Sequence, residues 1–248
     1  MSSGNSSTAG KQYDFATTRW SMIREAGAED SDVANSALQE LCQQYWYPLY
    51  TFVRRQGHDS NSAADLTQAF FADILQRRDL ETADPELGRF RSFLLASVRN
   101  FISNQRDKDR AQKRGGGKKP LSFDFQDAEG RYLQHPAENS TPESLFERQW
   151  AMTLLGRVED RLRKEFEKRG KAHVFDELKI FLAGKSREST LAAAAAGLSM
   201  TEVAAKVAVH RMRARFGELL RSEIQATVES DDSIDAEIQH LFSVLQSP

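Results

Sequence analysis

A chain of 248 residues, 40% hydrophobic and 28% charged, is long enough for one mid-sized domain or two small ones and too apolar for a disordered chain. A single cysteine, Cys42, excludes an intrachain disulfide framework and a multi-cysteine zinc site. The net charge of -2 hides a strong local segregation, because 10 Lys/Arg and 2 Asp/Glu lie between Arg89 and Lys119, and 5 basic and 1 acidic residue between Lys206 and Arg221. After Arg221 there are 6 acidic residues and no basic one, and the stretch from His58 to Gly88 carries 7 acidic and 2 basic residues. Phosphate binding follows local charge density, so two basic stripes on an otherwise acidic chain suit a two-footed nucleic-acid binder. Two solvated helix faces would carry the same charges. No apolar run approaches the roughly 18 residues of a membrane helix, and the opening MSSGNSSTAGKQ lacks the apolar core of a secretory signal. A soluble, cytoplasmic protein of a reducing compartment is expected.

In chain order, 1–16 reads as a flexible tail. The periodicity is then helical. Over 33–55, Leu38, Leu41, Tyr45, Leu49 and Phe52 recur every three or four residues, with Pro48 expected to kink or split the helix. A second helix over 62–77 carries Leu66, Phe70, Phe71, Ile74 and Leu75. A third over 88–113 buries Phe90, Phe93, Leu94, Val98, Phe101 and Ile102 and shows Arg99, Asn100, Ser103, Asn104, Arg106 and Arg110 on its other side. From RGGGKK onward periodicity is lost and Pro120, Pro136 and Pro142 punctuate the chain, so 114–142 reads as a linker, with LSFDF (121–125) a candidate short extended piece. Helix resumes after Thr141-Pro142, an N-cap followed by proline at the first helical position. Its apolar stripe is Phe146, Trp150, Leu154 or Leu155, Val158, Leu162 and Phe166. A shorter helix with Val174, Phe175, Leu178, Phe181 and Leu182 follows, then a pair, 190–196 and 201–224, framing the turn Gly197-Leu198-Ser199. A last acidic helix carries Ile234, Ile238, Leu241, Phe242 and Leu245.

An Ala-rich short helix, a three-residue turn and a longer Arg-rich helix form a helix-turn-helix pattern. Thr201, Glu202 and Lys206 fall in the first turns, where a recognition helix meets base edges, while Arg211, Arg213 and Arg215 lie further along and suit phosphates. An ordinary helical hairpin with a charged outer face fits the same residues. Gly115-Gly116-Gly117-Lys118-Lys119 lacks the spacing, the following Ser/Thr and the preceding strand of a phosphate-binding loop, and reads as a flexible basic linker. The His residues (58, 135, 173, 210, 240) are scattered with no ligand pair. Cys42 reads as a buried core thiol. No arrangement supports catalysis, and no cofactor is implied.

The stretches YWYPLYTFVRRQGHDSNSAADLTQAFFADIL (45–75) and GRFRSFLLASVRNFISNQRDKDR (88–110) resemble region 2 of extracytoplasmic-function sigma factors of bacterial RNA polymerase. TLAAAAAGLSMTEVAAKVAVHRMRARFGELL (190–220) resembles their region 4, and FATTRWSMI (15–23) with the acidic C-terminal helix is similar to one sigma-like subgroup. The resemblance implies that DLTQAFF (65–71), through Asp65, Leu66, Gln68, Phe70 and Phe71, binds the clamp helices of the polymerase's largest subunit. It implies that Phe93 and Asn100, with Arg89, Arg91, Arg99, Asn104, Arg106 and Arg110 on the same basic helix, open the promoter's -10 element. An extruded base needs a packing wall and an amide partner, which an aromatic and an Asn supply. Recognition of the -35 element falls to Thr201, Glu202, Lys206, His210, Arg211 and Arg213. The chain departs from the family where Ser199 replaces the usual turn Gly before Met200, where Ala204-Ala205 replace Thr-Val, and where Ala208 replaces an Arg.

The resulting expectation is an all-α chain of two small helical domains, region 2 over 17–113 and region 4 over 143–226. They are joined by the linker 114–142 and followed by an acidic helix over 227–248. Its partners are core RNA polymerase and promoter DNA, with an anti-sigma factor or other regulator admitted and no membrane. A free-standing helix-turn-helix regulator and a sigma-fold interaction module without promoter activity remain as alternatives. The acidic helix has three possible seats: across the DNA face of region 4, on region 4 away from DNA, or on a partner.

Overall fold

The structure is a computed structural model that describes residues 32–77, 90–111, 125–134, 140–182, 188–225 and 232–246. The tail 1–16, FATTRWSMI, Arg89, RGGGKK and most of LSFDF lie outside the described residues. Among the described residues every regular element is helical, so the fold class is all-α. In chain order the helices are α1 (Asp32–Arg55), α2 (Ser60–Arg77), α3 (Phe90–Ala111), α4 (Phe125–Gln134), α5 (Pro142–Lys168), α6 (Ala172–Leu178), α7 (Glu188–Gly197), α8 (Glu202–Gln225) and α9 (Asp232–Gln246), with a 3-10 turn at Lys179–Phe181 after α6.

Two long helices organise the chain. From Tyr45 to Val53 α1 is buried on nearly every side, with Tyr45, Tyr47, Leu49, Tyr50, Phe52 and Val53 all in the core, as a helix apolar around its whole circumference must be. Its fullest partner is α5, which buries Phe146, Trp150, Leu154, Val158 and Leu162. Of the two leucines the periodicity allowed, Leu154 is the core residue and Leu155 is only partly buried. The helix is not split at Pro48. Proline removes the donor that would reach the Gln44 carbonyl, and Thr51 donates its hydroxyl to the Pro48 carbonyl at 2.8 Å. Cys42 is buried, as its sequence setting indicates, and burial pushes its thiol up to about 12.

Around this pair, α2 packs on α1 and contacts α3, while α6, α8 and α9 pack on α5 and α7 packs on α8. The buried apolar side chains of both halves, from Cys42 to Leu241, form one contiguous core. Thr141 caps α5 by accepting from the Ser144 amide at 3.1 Å, with proline following it as expected.

Within the segment read as a linker, Phe125–Gln134 is a helix, and Phe125, the end of the expected extended piece, opens it. Hydrophobic periodicity missed α4 because polar groups hold it. Ala128 is its fully buried residue, while Glu129 accepts two bonds from Arg54, at 2.9 and 2.7 Å, and a short one from the Tyr50 hydroxyl. Arg54 lies 4.8 Å from the Tyr132 ring centre and Arg131 3.8 Å from that of Tyr47.

Helices α5 and α7 end in the same way. After α5 the Gly170 amide donates to the Glu167 carbonyl and that of Lys171 to the Phe166 carbonyl, both at 2.9 Å, with φ +68° at Gly170. After α7 the Ser199 amide reaches the Ala196 carbonyl at 3.0 Å and that of Met200 the Ala195 carbonyl at 2.9 Å, with φ +53° at Ser199. Glycine adopts this left-handed conformation freely and serine does not. Ser199→Gly is therefore expected to raise stability by about 1 kcal/mol, read as a higher urea midpoint. An unchanged or lower midpoint would show that the turn is held without strain.

Candidate nucleic-acid interface

The α7–α8 pair turns through 101°, inside the 90–120° range of helix-turn-helix units. Thr201 caps α8, its hydroxyl oxygen accepting from the Ala204 amide at 3.1 Å. The inward face of α8 holds Ala205, Val209, Met212 and Leu219, with Phe216 partly buried beside them, at helical spacing. The outward face of the first turns shows Glu202, Lys206, His210 and Arg211, together with Val203 at 72% and Val207 at 44% exposure. Lys206 and Glu202 pair at 2.9 Å, while Arg211 has no ion pair among the described residues. The two exposed valines are the feature that a search for polar contacts overlooks. A groove-facing helix uses such groups against thymine methyls.

Two of the arginines assigned to phosphates are held by the protein instead. Arg213 donates twice to the Phe181 carbonyl, at 2.9 and 2.6 Å. Arg215 bridges Glu165 and Glu218, each at 2.7 Å, and its hydrogen bond holds the Glu165 carboxyl below the ordinary carboxylate range. Both arginines stitch α8 to its neighbours. Helical periodicity places them on the outer side of α8, where Arg213 is exposed and Arg215 half-exposed, yet both spend their donors on acceptors of the chain itself.

Along α3 the outer face carries Asn100, Ser103 and Asn104, all exposed, as the basic-helix reading has it. Phe93 is half-buried, stacked on Phe90 with ring centres 5.9 Å apart. Arg99 is half-exposed, pairs with Glu143, and depresses that carboxyl below its ordinary range. Arg106 and Arg110 lie on α3, with side chains outside the described residues. Arg91 departs from expectation. Only 3% of its side chain is exposed. Its Nε sits 2.7 Å from Glu147 of α5, its terminal nitrogens donate to Glu237 of α9, and its guanidinium lies 4.2 Å from the Trp150 ring centre. Burial alone would lower its pKa, but the Glu237 hydrogen bond and the charges of Glu147 and Glu237 more than offset that and raise it. Arg91 is thus part of the core, out of reach of any DNA in this arrangement. One sequence signal pointed there: Glu237 interrupts the apolar stripe Ile234, Ile238, Leu241.

In α2, Asp65 is exposed and Leu66 and Gln68 are half-buried. Phe70 and Phe71, at 1% and 2% exposure, belong to the core, Phe70 meeting Phe101 edge-on at 5.7 Å. They hold α2 in place and cannot themselves touch a partner, because the same helical period that puts Asp65 outside turns them in.

The acidic helix α9 packs on α5 and on α8. Arg221 near the end of α8 pairs with Asp235 at 2.6 Å, while the first turns of α8 stay exposed. Of the three seats considered for this helix, the structure has one on α5 and α8 away from the exposed first turns of α8.

No family model matches the chain, and neither the curated proteins nor the solved structures compared with it give a match. No single helix among the described residues is long and apolar enough to cross a membrane.

Proposed function

We propose that this chain is a sigma-like transcription-initiation subunit, not itself an enzyme, which binds core RNA polymerase through α2 and reads promoter DNA in the cytoplasm through α3 and α8. The observation that carries the reading is the right-angled α7–α8 pair, its first recognition turns exposed and bearing Lys206, His210 and Arg211. The left-handed residue of the turn, Ser199, stands at the position where the sigma resemblance has glycine. In this reading α1–α3 act as region 2, with Asn100, Asn104 and the stacked Phe93 at the -10 element. Helices α5–α8 act as region 4 at the -35 element. The two units share one core in the free protein. The burial of Arg91 and the internal acceptors of Arg213 and Arg215 favour a second reading, a sigma-fold interaction module without promoter activity.

Reconstitution with core polymerase separates the readings. The purified chain is expected to co-elute with core enzyme and to direct transcripts from discrete start sites, whereas an interaction module without promoter activity directs none. The double variant Asp65→Ala with Gln68→Ala removes one exposed and one half-buried polar group of α2 without touching its core residues. It is expected to bind core polymerase about tenfold more weakly, roughly 1.4 kcal/mol, with unchanged circular dichroism. Wild-type affinity of the double variant would remove α2 from the polymerase surface.

A further inference from the structure

Exposed apolar groups gather at one place on this surface, the first two turns of α8. Of the six large apolar side chains that stand exposed among the described residues, Leu133, Met152, Ile180 and Phe242 sit singly on four different elements, whereas Val203 and Val207 share α8. Single exposed apolar residues are ordinary on a protein surface. A pair at i and i+4 is a contiguous strip on one helix face. Valine is also a poorer helix former than the unbranched residues, so helix stability does not account for the pair. With His210 and Ala214, both exposed, the valines follow the 4-3-4 spacing of one ridge, on the side of α8 away from Ala205, Val209 and Met212.

The charged groups flank this ridge. Glu202 and Lys206 lie along one side of it, paired at 2.9 Å, and the exposed Arg211 lies along the other. Thr201, before the first turn, has its hydroxyl oxygen engaged by the Ala204 amide. Hydrogen-bonded reading of a base edge needs a polar group on the ridge itself, and over Val203, Val207, His210 and Ala214 only His210 supplies one. The first two turns therefore present methyl groups at their centre and charges at their margins. The major groove has the matching layout. Its walls are phosphates, and the apolar group on its floor is the C5-methyl of thymine.

From this arrangement, and resting on the DNA-binding reading above, we propose that Val203 and Val207 are specificity-determining residues that select thymine methyl groups in the major groove. Residues four apart lie about 6 Å apart along a helix and base pairs rise by roughly 3.4 Å, so the two valines reach methyls about two base-pair steps apart or closer. Any other base edge places a donor or an acceptor against the valines, where it has no partner and has lost its water. Cations on both flanks hold the helix to the phosphates whatever the sequence, so the valines decide which sequence is held and not whether DNA is held.

Deoxyuridine tests this at the level of one group, because it keeps the pairing edge and the O4 of thymine and lacks only the methyl. Duplexes enriched from a random library by the full-length chain are expected to share T·A pairs within two steps of each other. Fluorescence anisotropy with such a duplex is expected to show binding about fourfold weaker for each of these thymines replaced by deoxyuridine. The double variant Val203→Ala with Val207→Ala is expected to bind the thymine duplex more weakly than wild type does and to lose the discrimination against deoxyuridine. Both valines are exposed and alanine favours helix, so its circular dichroism is expected to match wild type. The comparison of the two duplexes on the wild-type chain involves no variant, and a folding defect cannot imitate it. Equal binding of thymine and deoxyuridine duplexes by the wild-type chain overturns the inference and leaves the DNA-binding reading in place, as does discrimination that survives in the double variant. A chain that enriches no duplex overturns both and leaves the valine strip to a protein partner.

Discussion

Arg91→Ala is expected to lower stability by about 3–5 kcal/mol, the range for breaking a buried ion pair by removing one partner. Glu147 and Glu237 would then face each other across the space the guanidinium filled, with Glu237 at 1% exposure. The Trp150 ring would also lose the cation packed 4.2 Å from its centre. Urea unfolding followed by tryptophan fluorescence reads the loss directly. Arg91→Met combined with Glu237→Leu is expected to recover most of it, because the pair is then replaced by apolar side chains and Glu147, 20% exposed, keeps His240 as a neighbour. A loss below about 1 kcal/mol in Arg91→Ala would place the triad in the range of solvent-screened surface pairs.

Glu129→Gln is expected to cost about 2 kcal/mol, less than the sum of its charge-assisted bonds because Arg54 and Glu129 remain 17% and 25% exposed to screening water. The effect should concentrate in α4, whose amides are expected to exchange faster in the variant while those of α5 are unchanged. The pH dependence has a definite sign. Hydrogen bonds from Arg54 hold the Glu129 carboxyl below the ordinary carboxylate range. Its contribution is therefore complete above the ordinary carboxylate pKa and is lost as pH falls through the depressed value in the folded chain. Wild-type α4 should loosen on acidification through that window, whereas in Glu129→Gln it is already loose at neutral pH and changes less. Tyr50 works in the same direction at neutral pH: burial and the bond to Glu129 raise its pKa, so its hydroxyl stays protonated as a donor. Identical acid profiles for the two proteins would detach α4 from this clasp.

The helices and their inner faces follow from local rules. Leu94, Val98 and Ile102 in α3, Trp150, Leu154 and Val158 in α5, and Ala205, Val209 and Met212 in α8 all lie where a 3.6-residue period puts them. The start of α5 follows from Thr141-Pro142, and the α7–α8 turn from Gly197-Leu198-Ser199. The site was legible to the same depth. Asn100, Asn104, Lys206, His210 and Arg211 are outward as the periods require. The fate of the long cations was not. In the sequence, Arg91, Arg99 and Arg211 are all basic residues on helices with one basic face. In the fold, Arg91 is in the core, Arg99 is half-exposed and Arg211 is exposed without an ion pair among the described residues.

Secondary structure and amphipathic faces depend on residues three or four apart, and the sequence by itself determined them among the described residues: an all-α fold class, the Thr141 cap, the short turn between α7 and α8 and the acidic amphipathic helix at the end. Ion pairing depends on which acceptors the fold brings within about 3 Å of a guanidinium and how much water it leaves there. Those acceptors come from distant positions, Glu147 and Glu237 for Arg91, Phe181 for Arg213, Glu165 for Arg215, and Arg54 as the donor for Glu129. Only the tertiary structure decided that the segment between the halves holds a helix, that α9 sits beside α5 with Glu237 on Arg91, and that of the basic stripes Arg91 is buried while Arg213 and Arg215 bind acceptors of the chain itself. The reason is energetic. A buried charge is stable only against its specific partner, and helical periodicity along one segment says nothing about the residue that will lie opposite.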